Sequence, residues 1–341
     1  MVAKGEVILL PEAPQIDGLS FRHFQGKSDY PKMIDVLQES KDTDQIEEVD
    51  SLEVLSAKFA HLNHCNPYQD MLFVEIGARV IGFSQVYWED ATHTGRRYVH
   101  EGYLVPVWRG KGIGWAMLNF NEKRILEIAS THAQNEPGVF QVKAANSEVA
   151  KTQLLQDAGY RPVRYFCEMV RPDLENIPHH ALPPGLEIRP VLPEHYRPIW
   201  EANNEAMGDH WDHVDYSEED YQFWLQGDEE FQPELWKIAW DIATNQVAGM
   251  VLGFIDEDQN TKFNRKRGWT EDICVRRPWR NRGLAHALII ETLREFKSRG
   301  MTESALNADT ENLSGAFQLY ESLGFHTVKT TTVYQKPIGS P

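Results

Sequence analysis

Apolar and polar positions along this chain fall into blocks whose period switches between two and about three and a half, and the succession of blocks occurs twice. In the first half the periodicity predicts helices over Tyr30–Gln38 and near Leu52–Leu62. A hairpin of Met71–Glu75 and Val80–Tyr87 follows around Gly77, rich in β-branched and aromatic residues. Arg96–Val105 reads as a strand leading to a helix that begins near Gly112 and holds Leu118, Asn121, Ile125 and Ile128 on one face. Val139–Ala144 reads as the next strand, and the helix after it stops at Gly159, a residue type that ends helices. Tyr165–Val170 is expected to be the last strand of this half.

The second half repeats the plan. Leu186–Arg189 opens it, Leu235–Asp241 and Val247–Ile255 make the hairpin, and Trp269–Val275 is the strand before a glycine turn. Ala285, Ile289, Leu293 and Phe296 share one face of a helix that stops at Gly300. Ser304–Ala308 is expected as a strand and Ser314–Leu323 as a helix with Ala316, Leu319, Tyr320 and Leu323 on one side. Thr327–Lys336 is expected to close this half as a β-rich run. Two additions distinguish it: an acidic, aromatic stretch from Asp209 to Trp236, and a polar loop, Asp256–Gly268.

Subtraction confirms the duplication. Gly112 to Gly283 is 283 − 112 = 171 residues, Asn146 to Asn312 is 166, Gly159 to Gly324 is 165, and Gly18 to Gly185 is 167. So long a period indicates a duplicated domain, since solenoid repeats run to roughly 20–50 residues. Pro172, Pro178, Pro183 and Pro184 lie where proline disfavours helix and central strand alike. The expected organisation is therefore an N-terminal domain over 1–171, a linker over 172–185 and a C-terminal domain over 186–341.

With 341 residues, each half is long enough to bury its own core. The formal net charge of −17 argues against general nucleic-acid binding, which requires basic surface to neutralise phosphates. The same charge is compatible with cationic substrates. Cys65, Cys167 and Cys274 make neither an even disulfide framework nor a metal spacing, which fits a reducing, cytoplasmic setting. The run from Met1 to Pro11 is too short in apolar residues for a signal peptide, and no stretch approaches the ~20 apolar residues of a membrane span.

The chemistry centres on two hexapeptides. Arg109-Gly110-Lys111-Gly112-Ile113-Gly114 follows the apolar Tyr103-Leu104-Val105, and Arg280-Asn281-Arg282-Gly283-Leu284-Ala285 follows Ile273-Cys274-Val275. A strand, a glycine turn and then a helix gather backbone N–H groups around a diphosphate. Neither copy contains the Gly-x-Gly-x-x-Gly of a dinucleotide fold or a Gly-Lys-Ser/Thr ending.

Each half resembles the GNAT superfamily of acetyl-CoA-dependent N-acetyltransferases, whose hallmark Arg/Gln-x-x-Gly-x-Gly/Ala matches both hexapeptides. The pattern Asn-x-x-x-Ala…Tyr-x-x-x-Gly-Phe fits the second half at Asn312, Ala316, Tyr320, Gly324 and Phe325. The tandem arrangement is most similar to the mycothiol synthase type, whose C-terminal domain is catalytic and whose N-terminal domain is a degenerate copy. The resemblance implies an α+β fold of two tandem domains, each a mixed, mostly antiparallel sheet flanked by helices. It implies acetyl-CoA as co-substrate, held by Arg280–Ala285 with Asn312, and a possible second coenzyme turn at Arg109–Gly114. No metal is implied.

Acetyl transfer to an amine requires a base for the ammonium proton, an N–H for the oxyanion, and a proton for the departing thiolate. The resemblance places the oxyanion N–H near Cys274 or Val275 and makes Tyr320 the acid. Leu155 stands opposite Tyr320, since 159 − 155 equals 324 − 320, and leucine donates no proton. For the base, Glu271 is favoured over Asp272; strand alternation would place it with Ile273 and Val275, although family members commonly carry the base nearer the position of Trp269.

Asp209, Trp211, Asp212, Tyr216 and Trp224 suit a wall for a cationic acceptor or, equally, a solvated helix with buried rings. His210 and His213 have no metal-site spacing, and Lys262, Arg265, Lys266 and Arg267 either reach a coenzyme phosphate or balance charge. The expected activity is acetylation of a small-molecule amine in the C-terminal half. Its rivals are a non-catalytic acyl-CoA-binding or regulatory protein and a protein N-acetyltransferase.

Overall fold

The computed structural model describes residues 7–48, 51–60, 62–92, 95–132, 138–211, 213–226, 230–312 and 315–339. Met1–Glu6, Asp212 and Ser314, named above, lie outside these. Two compact units result: residues 1–164 with 331–341, and residues 165–330. The proline-rich segment expected as a linker, 172–185, falls inside the second unit.

In the first unit β1 (Leu19–Arg22) is followed by helices α1 (Tyr30–Asp44), α2 (Leu52–Ala60) and α3 (Pro67–Asp70). Strands β2 (Met71–Ile76), β3 (Arg79–Ala91) and β4 (Gly95–Leu104) form an antiparallel meander with β1. Helix α4 (Ile113–Ala129) crosses to β5 (Val139–Ala145), which runs parallel to β4, and α5 (Val149–Asp157) follows. The sheet is buried on both faces, so β2 reads as a continuous apolar run. Its residues alternate between two cores: Met71 and Phe73 join Met33, Val36 and Leu37 of α1, while Leu72 and Val74 join Ile113, Ala116 and Met117 of α4.

Strand β6 (Arg161–Arg171) carries the chain into the second unit. There follow β7 (Leu186–Arg189), α6 (Tyr196–Met207), α7 (Glu218–Gln226), β8 (Lys237–Asp241), β9 (Val247–Val251), α8 (Glu257–Lys262), β10 (Arg267–Trp269) and β11 (Cys274–Val275). Helix α9 (Leu284–Ser298), β12 (Glu303–Asp309), α10 (Ala316–Ser322) and β13 (His326–Pro337) complete the chain. On β8, Ile238 and Trp240 face Ile199, Ala202 and Ala206 of α6, whereas Ala239 faces the core built on Leu288, Leu293 and Phe296 of α9.

Three elements depart from the sequence reading. The expected closing strands are exchanged: Phe166–Arg171 of β6 pairs with β12 in the second unit, and Thr331–Pro337 of β13 pairs with β5 in the first. An apolar pattern specifies a strand but not its partner. Asp256–Gly268 contains α8, begun by the Asp256 side chain, which accepts from Gln259 N–H. Trp269–Val275, expected as one strand, is broken.

Candidate active site

The break is a bulge, visible against the partner strand. Gly249 pairs with Val275 and Phe254 with Trp269, so five steps on one side (254 − 249) face six on the other (275 − 269). Asp272 lies within the extra length, with φ at 44°, a left-handed conformation uncommon for a residue with a side chain. The alternation expected to group Glu271 with Ile273 and Val275 is interrupted there. Before the bulge β10 runs parallel to β12, ending with Thr270 N–H donating to Ala305 O (2.7 Å); after it β11 pairs with β9.

Arg276 N–H donates to Ala248 O (3.0 Å), so ladder alternation turns the neighbouring Val275 N–H away from β9, toward the side where β12 has parted company. Of the two expected oxyanion donors, Val275 has this orientation. Tyr320 and the bulge meet beside it. The Tyr320 phenol is buried, packs edge-on to Phe325 (6.4 Å between centroids), and feels the Glu271 charge; burial and that charge raise its pKa. It therefore retains its proton at neutral pH.

Glu271 accepts from Asn307 Nδ2 on β12 (2.9 Å). The carboxyl is hemmed in by protein yet partly open to water. Burial, then the Asp272 charge, push its pKa up to about 8. A carboxyl so poised exchanges a proton near neutral pH. Asp272 is raised too, chiefly by burial, and accepts from Asn203 Nδ2 on α6 (3.0 Å). Glu230 and His210 lie close enough for their charges to be felt at Glu271 and Asp272 respectively.

The glycine turn ends this strand. Asn281 (φ 59°) and Gly283 (φ 80°) are left-handed, and Gly283 begins α9 with no side-chain cap, so the amides of Leu284, Ala285 and His286 have no helical partner. These groups fit an anionic diphosphate at the positive end of a helix. The Arg280 side chain does something other than expected: its Nε donates to Val275 O (2.8 Å) and its Nη1 to Asp209 (2.6 Å). It braces the turn against the oxyanion strand. Arg282 is exposed, and Asn312 N–H donates to Asp309 O (3.3 Å). His180, from the proline-rich segment, stacks on His286 (4.4 Å) and crosses the turn so closely that a Cβ built on Gly283 would lie 2.5 Å from its Nε2.

Residues 196–325 match the model of the acetyltransferase (GNAT) family. The chain carries a GNAT acetyltransferase domain. It is 26% identical over 264 residues to a mycothiol acetyltransferase of Thermobispora bispora, an alignment covering 76% of this chain and 81% of that protein. Among solved structures, a GCN5-related N-acetyltransferase from Sphaerobacter thermophilus superposes with a TM-score of 0.72 at 25% identity, covering 95% and 97% of the two chains. A tandem GNAT protein of the clavulanic acid biosynthesis pathway, 14% identical, has the same fold over 95% of this chain and 99% of its own (TM-score 0.67).

The other unit repeats the glycine turn but not the bulge with its paired carboxyls. Gly110 (φ 71°) and Gly112 (φ 85°) are left-handed, Gly112 begins α4 ahead of Ile113 and Gly114, and Lys111 lies over the Trp108 ring (4.6 Å). Arg109 Nε donates to Leu104 O (2.9 Å) and its two Nη atoms to Asp44 (2.6 and 2.8 Å), the counterpart of Arg280 and Asp209. Pro14 crosses this turn, 3.5 Å from a Cβ built on Gly112. Register between β3 and β4 is unbroken from Gly82–Leu104 to Ala91–Gly95. Leu155 is sealed among Val142, Phe140 and Tyr160. His100, bonded to the Tyr160 hydroxyl (2.8 Å), is pushed by burial down to about 3 and stays neutral.

In the GNAT domain the aromatic stretch packs on itself: Trp224 stacks on Trp236 (5.3 Å) and contacts Trp200, Tyr221 and Phe231. Asp209, expected at an acceptor wall, is held well below the usual carboxylate range by Arg277 and Arg280. Arg267 of the basic loop is buried between Glu168 (3.0 Å) and Glu303 (2.6 Å), which is charge balance. Among the described residues no group of three or more His, Cys, Asp or Glu has metal-binding geometry, and no helix is long and apolar enough to cross a membrane. Asn203 and Asn307 escaped the sequence reading; the only signal for Asn203 was an amide on the otherwise apolar face of α6.

Proposed function

We propose that the second unit transfers an acetyl group from acetyl-CoA to the primary amine of a small molecule, and that the first unit is a non-catalytic copy of the same fold. One observation carries the reading: the bulged strand, Tyr320, Glu271 and the turn at Arg280–Ala285 occur together in one unit, and the other has the turn alone. The amides of the turn and the start of α9 bind the coenzyme diphosphate. Asn281 and Gly283, both left-handed, let that backbone approach it, and Asn312 is a further coenzyme contact on this reading. Acetyl-CoA supplies the activated acyl group.

Glu271 accepts the proton of the incoming ammonium, directly or through one water, and its raised affinity for a proton matches it to that exchange. Val275 N–H donates to the carbonyl oxygen as negative charge grows there. Tyr320 donates its proton to the departing coenzyme sulfur, which has a reference pKa near 8.5 as a thiol. Similarity to a mycothiol acetyltransferase supports a small-molecule acceptor, and the carboxylates of Glu230, Glu271 and Asp272 suit a cation.

The test begins with CoA release screened over polyamines, aminoglycosides and amino sugars. On an accepted amine, Tyr320→Phe keeps coenzyme affinity and lowers turnover by roughly 10²–10⁴-fold, the worth of a general acid. Undiminished turnover removes Tyr320 from the mechanism; a change confined to KM makes the hydroxyl a binding group.

A further inference from the structure

Asn203 is buried in α6 and holds both ends of the bulge. Its Nδ2 donates to Asp272 Oδ2 (3.0 Å), and its Oδ1 accepts from Cys274 Sγ (3.6 Å), so one side chain grips the residues on either side of Ile273. Asp272 is the left-handed residue of this segment, a conformation that costs a residue with a side chain more than it costs glycine. The segment sets the direction of two groups at once: Glu271 immediately before it and Val275 N–H immediately after Cys274. A shift of the bulge therefore moves base and oxyanion donor together.

The first unit provides the contrast. The helices α1 and α6 begin at Tyr30 and Tyr196, 166 residues apart (196 − 30), and their buried positions match at that offset (Met33 with Ile199, Val36 with Ala202), which makes Leu37 the counterpart of Asn203. Leu37 is buried in the apolar core with Met33 and Val36 and offers no amide, and the strand beside it has no bulge and no left-handed residue between Gly95 and Leu104 other than Gly95 itself. The buried amide and the bulge occur together or not at all.

We infer that Asn203 is a positioning residue for acetyl transfer, a clamp that fixes the Asp272 bulge and thereby aims Glu271 and Val275 N–H at the reacting carbonyl. This rests on the second unit being the catalytic one. The Cys274 thiol has no nucleophilic part in it: burial raises its pKa, so it remains a neutral donor to the amide.

The experiment combines Asn203→Ala with Asp272→Gly. Glycine adopts the left-handed conformation without help, so in its presence the clamp has less to hold. Asn203→Ala is expected to lower kcat by about 10–100-fold with little change in KM for acetyl-CoA, the scale of a modest misplacement of reacting groups. Amide hydrogen exchange over residues 270–276 is expected to quicken in the same variant. In the double variant the kcat loss should be no greater than in Asp272→Gly alone, as coupled residues require. Should Asn203→Ala fail to fold, Asn203→Ser retains a small polar group and takes its place.

Unchanged exchange over 270–276 together with unchanged kcat overturns the clamp, and so do losses that multiply in the double variant. Exchange keeps the two hypotheses apart. If no amine is acetylated, the proposed activity fails, yet slower exchange in the parent than in Asn203→Ala still reports the clamp.

Discussion

The two units of this chain build the same turn and differ in the strand that leads to it. Arg109 and Arg280 make equivalent bonds, to the carbonyl of the strand's end and to an aspartate at or just past the end of a long helix. Gly112 and Gly283 begin equivalent helices. Yet β4 runs in perfect register for ten residues, while its counterpart is split into β10 and β11 around Asp272. Where the strand is unbroken, the interior is filled by Leu155 and by a neutral His100; where it is broken, Glu271 and Tyr320 lie close enough for the Glu271 charge to be felt at the phenol. On the proposed reading, holding a diphosphate and performing chemistry on a thioester are separable properties: the first would need only the start of a helix, and the second a break in the strand.

Beyond the acid, the largest expected effect falls on the base. Glu271→Gln should lower turnover by about 10²–10⁴-fold. With the pKa raised to about 8, Glu271 is protonated below that pH and competent as a base above it. The parent rate should therefore climb as pH rises through about 8, and the Gln variant should lose that limb. The unfolded chain gives up the same proton at ordinary carboxyl pH, so folding stability contributed at this site falls as pH rises toward 8. Denaturant titrations at low and high pH should show the Gln variant gaining on the parent at the high end. A pH-independent difference would place Glu271 outside the buried pair of carboxyls.

Next comes the coenzyme turn. Gly283→Ala forces a side chain into a left-handed conformation and against His180, and should weaken coenzyme binding about 5–30-fold, the equivalent of one or two kcal/mol. Gly112→Ala suffers the same backbone strain but meets only Pro14 at ordinary contact distance, and turnover should stay near that of the parent. Calorimetric titration and initial rates on both variants decide the matter. Equal losses of activity would mean that the first unit's turn serves the reaction. Adding His180→Ala to the Gly283 variant separates the steric part, since only contact with the ring is relieved.

Local features of this division were legible in the sequence and non-local ones were not. The glycine turns are legible from residues a few positions apart, and Tyr320 with its absence at Leu155 follows from the family resemblance once the Tyr-x-x-x-Gly-Phe pattern is matched. The bulge is not legible in this way: Trp269–Val275 carries aromatic and β-branched residues at both ends and reads as one strand, and the extra residue shows only against Gly249–Phe254. The exchange of β6 and β13 was hidden for the same reason, because both are good strands whichever sheet they join. What the Arg280 side chain bonds was not legible either, because Asp209, which takes its guanidinium, is far away in sequence. Asn203 left hardly a trace, since one amide on an apolar helix face is also what a capped or solvated residue looks like.

The smallest expected change in turnover is also the sharpest probe of the comparison. Leu155→Tyr restores the phenol to the first unit at the position corresponding to Tyr320. Leu155 is fully buried beside Leu118, Ile125, Val142 and Tyr160, in a core with no cleft for the hydroxyl to face. The added bulk should cost about 1–3 kcal/mol of stability through overpacking. No turnover should be gained, because the continuous β4 offers no such bulge beside it. Measured in a Tyr320→Phe background, where residual activity is low, even a weak second site would stand out. Recovery of turnover there would mean that the proton donor alone separates the two units, and that the break around Asp272 is incidental to the chemistry.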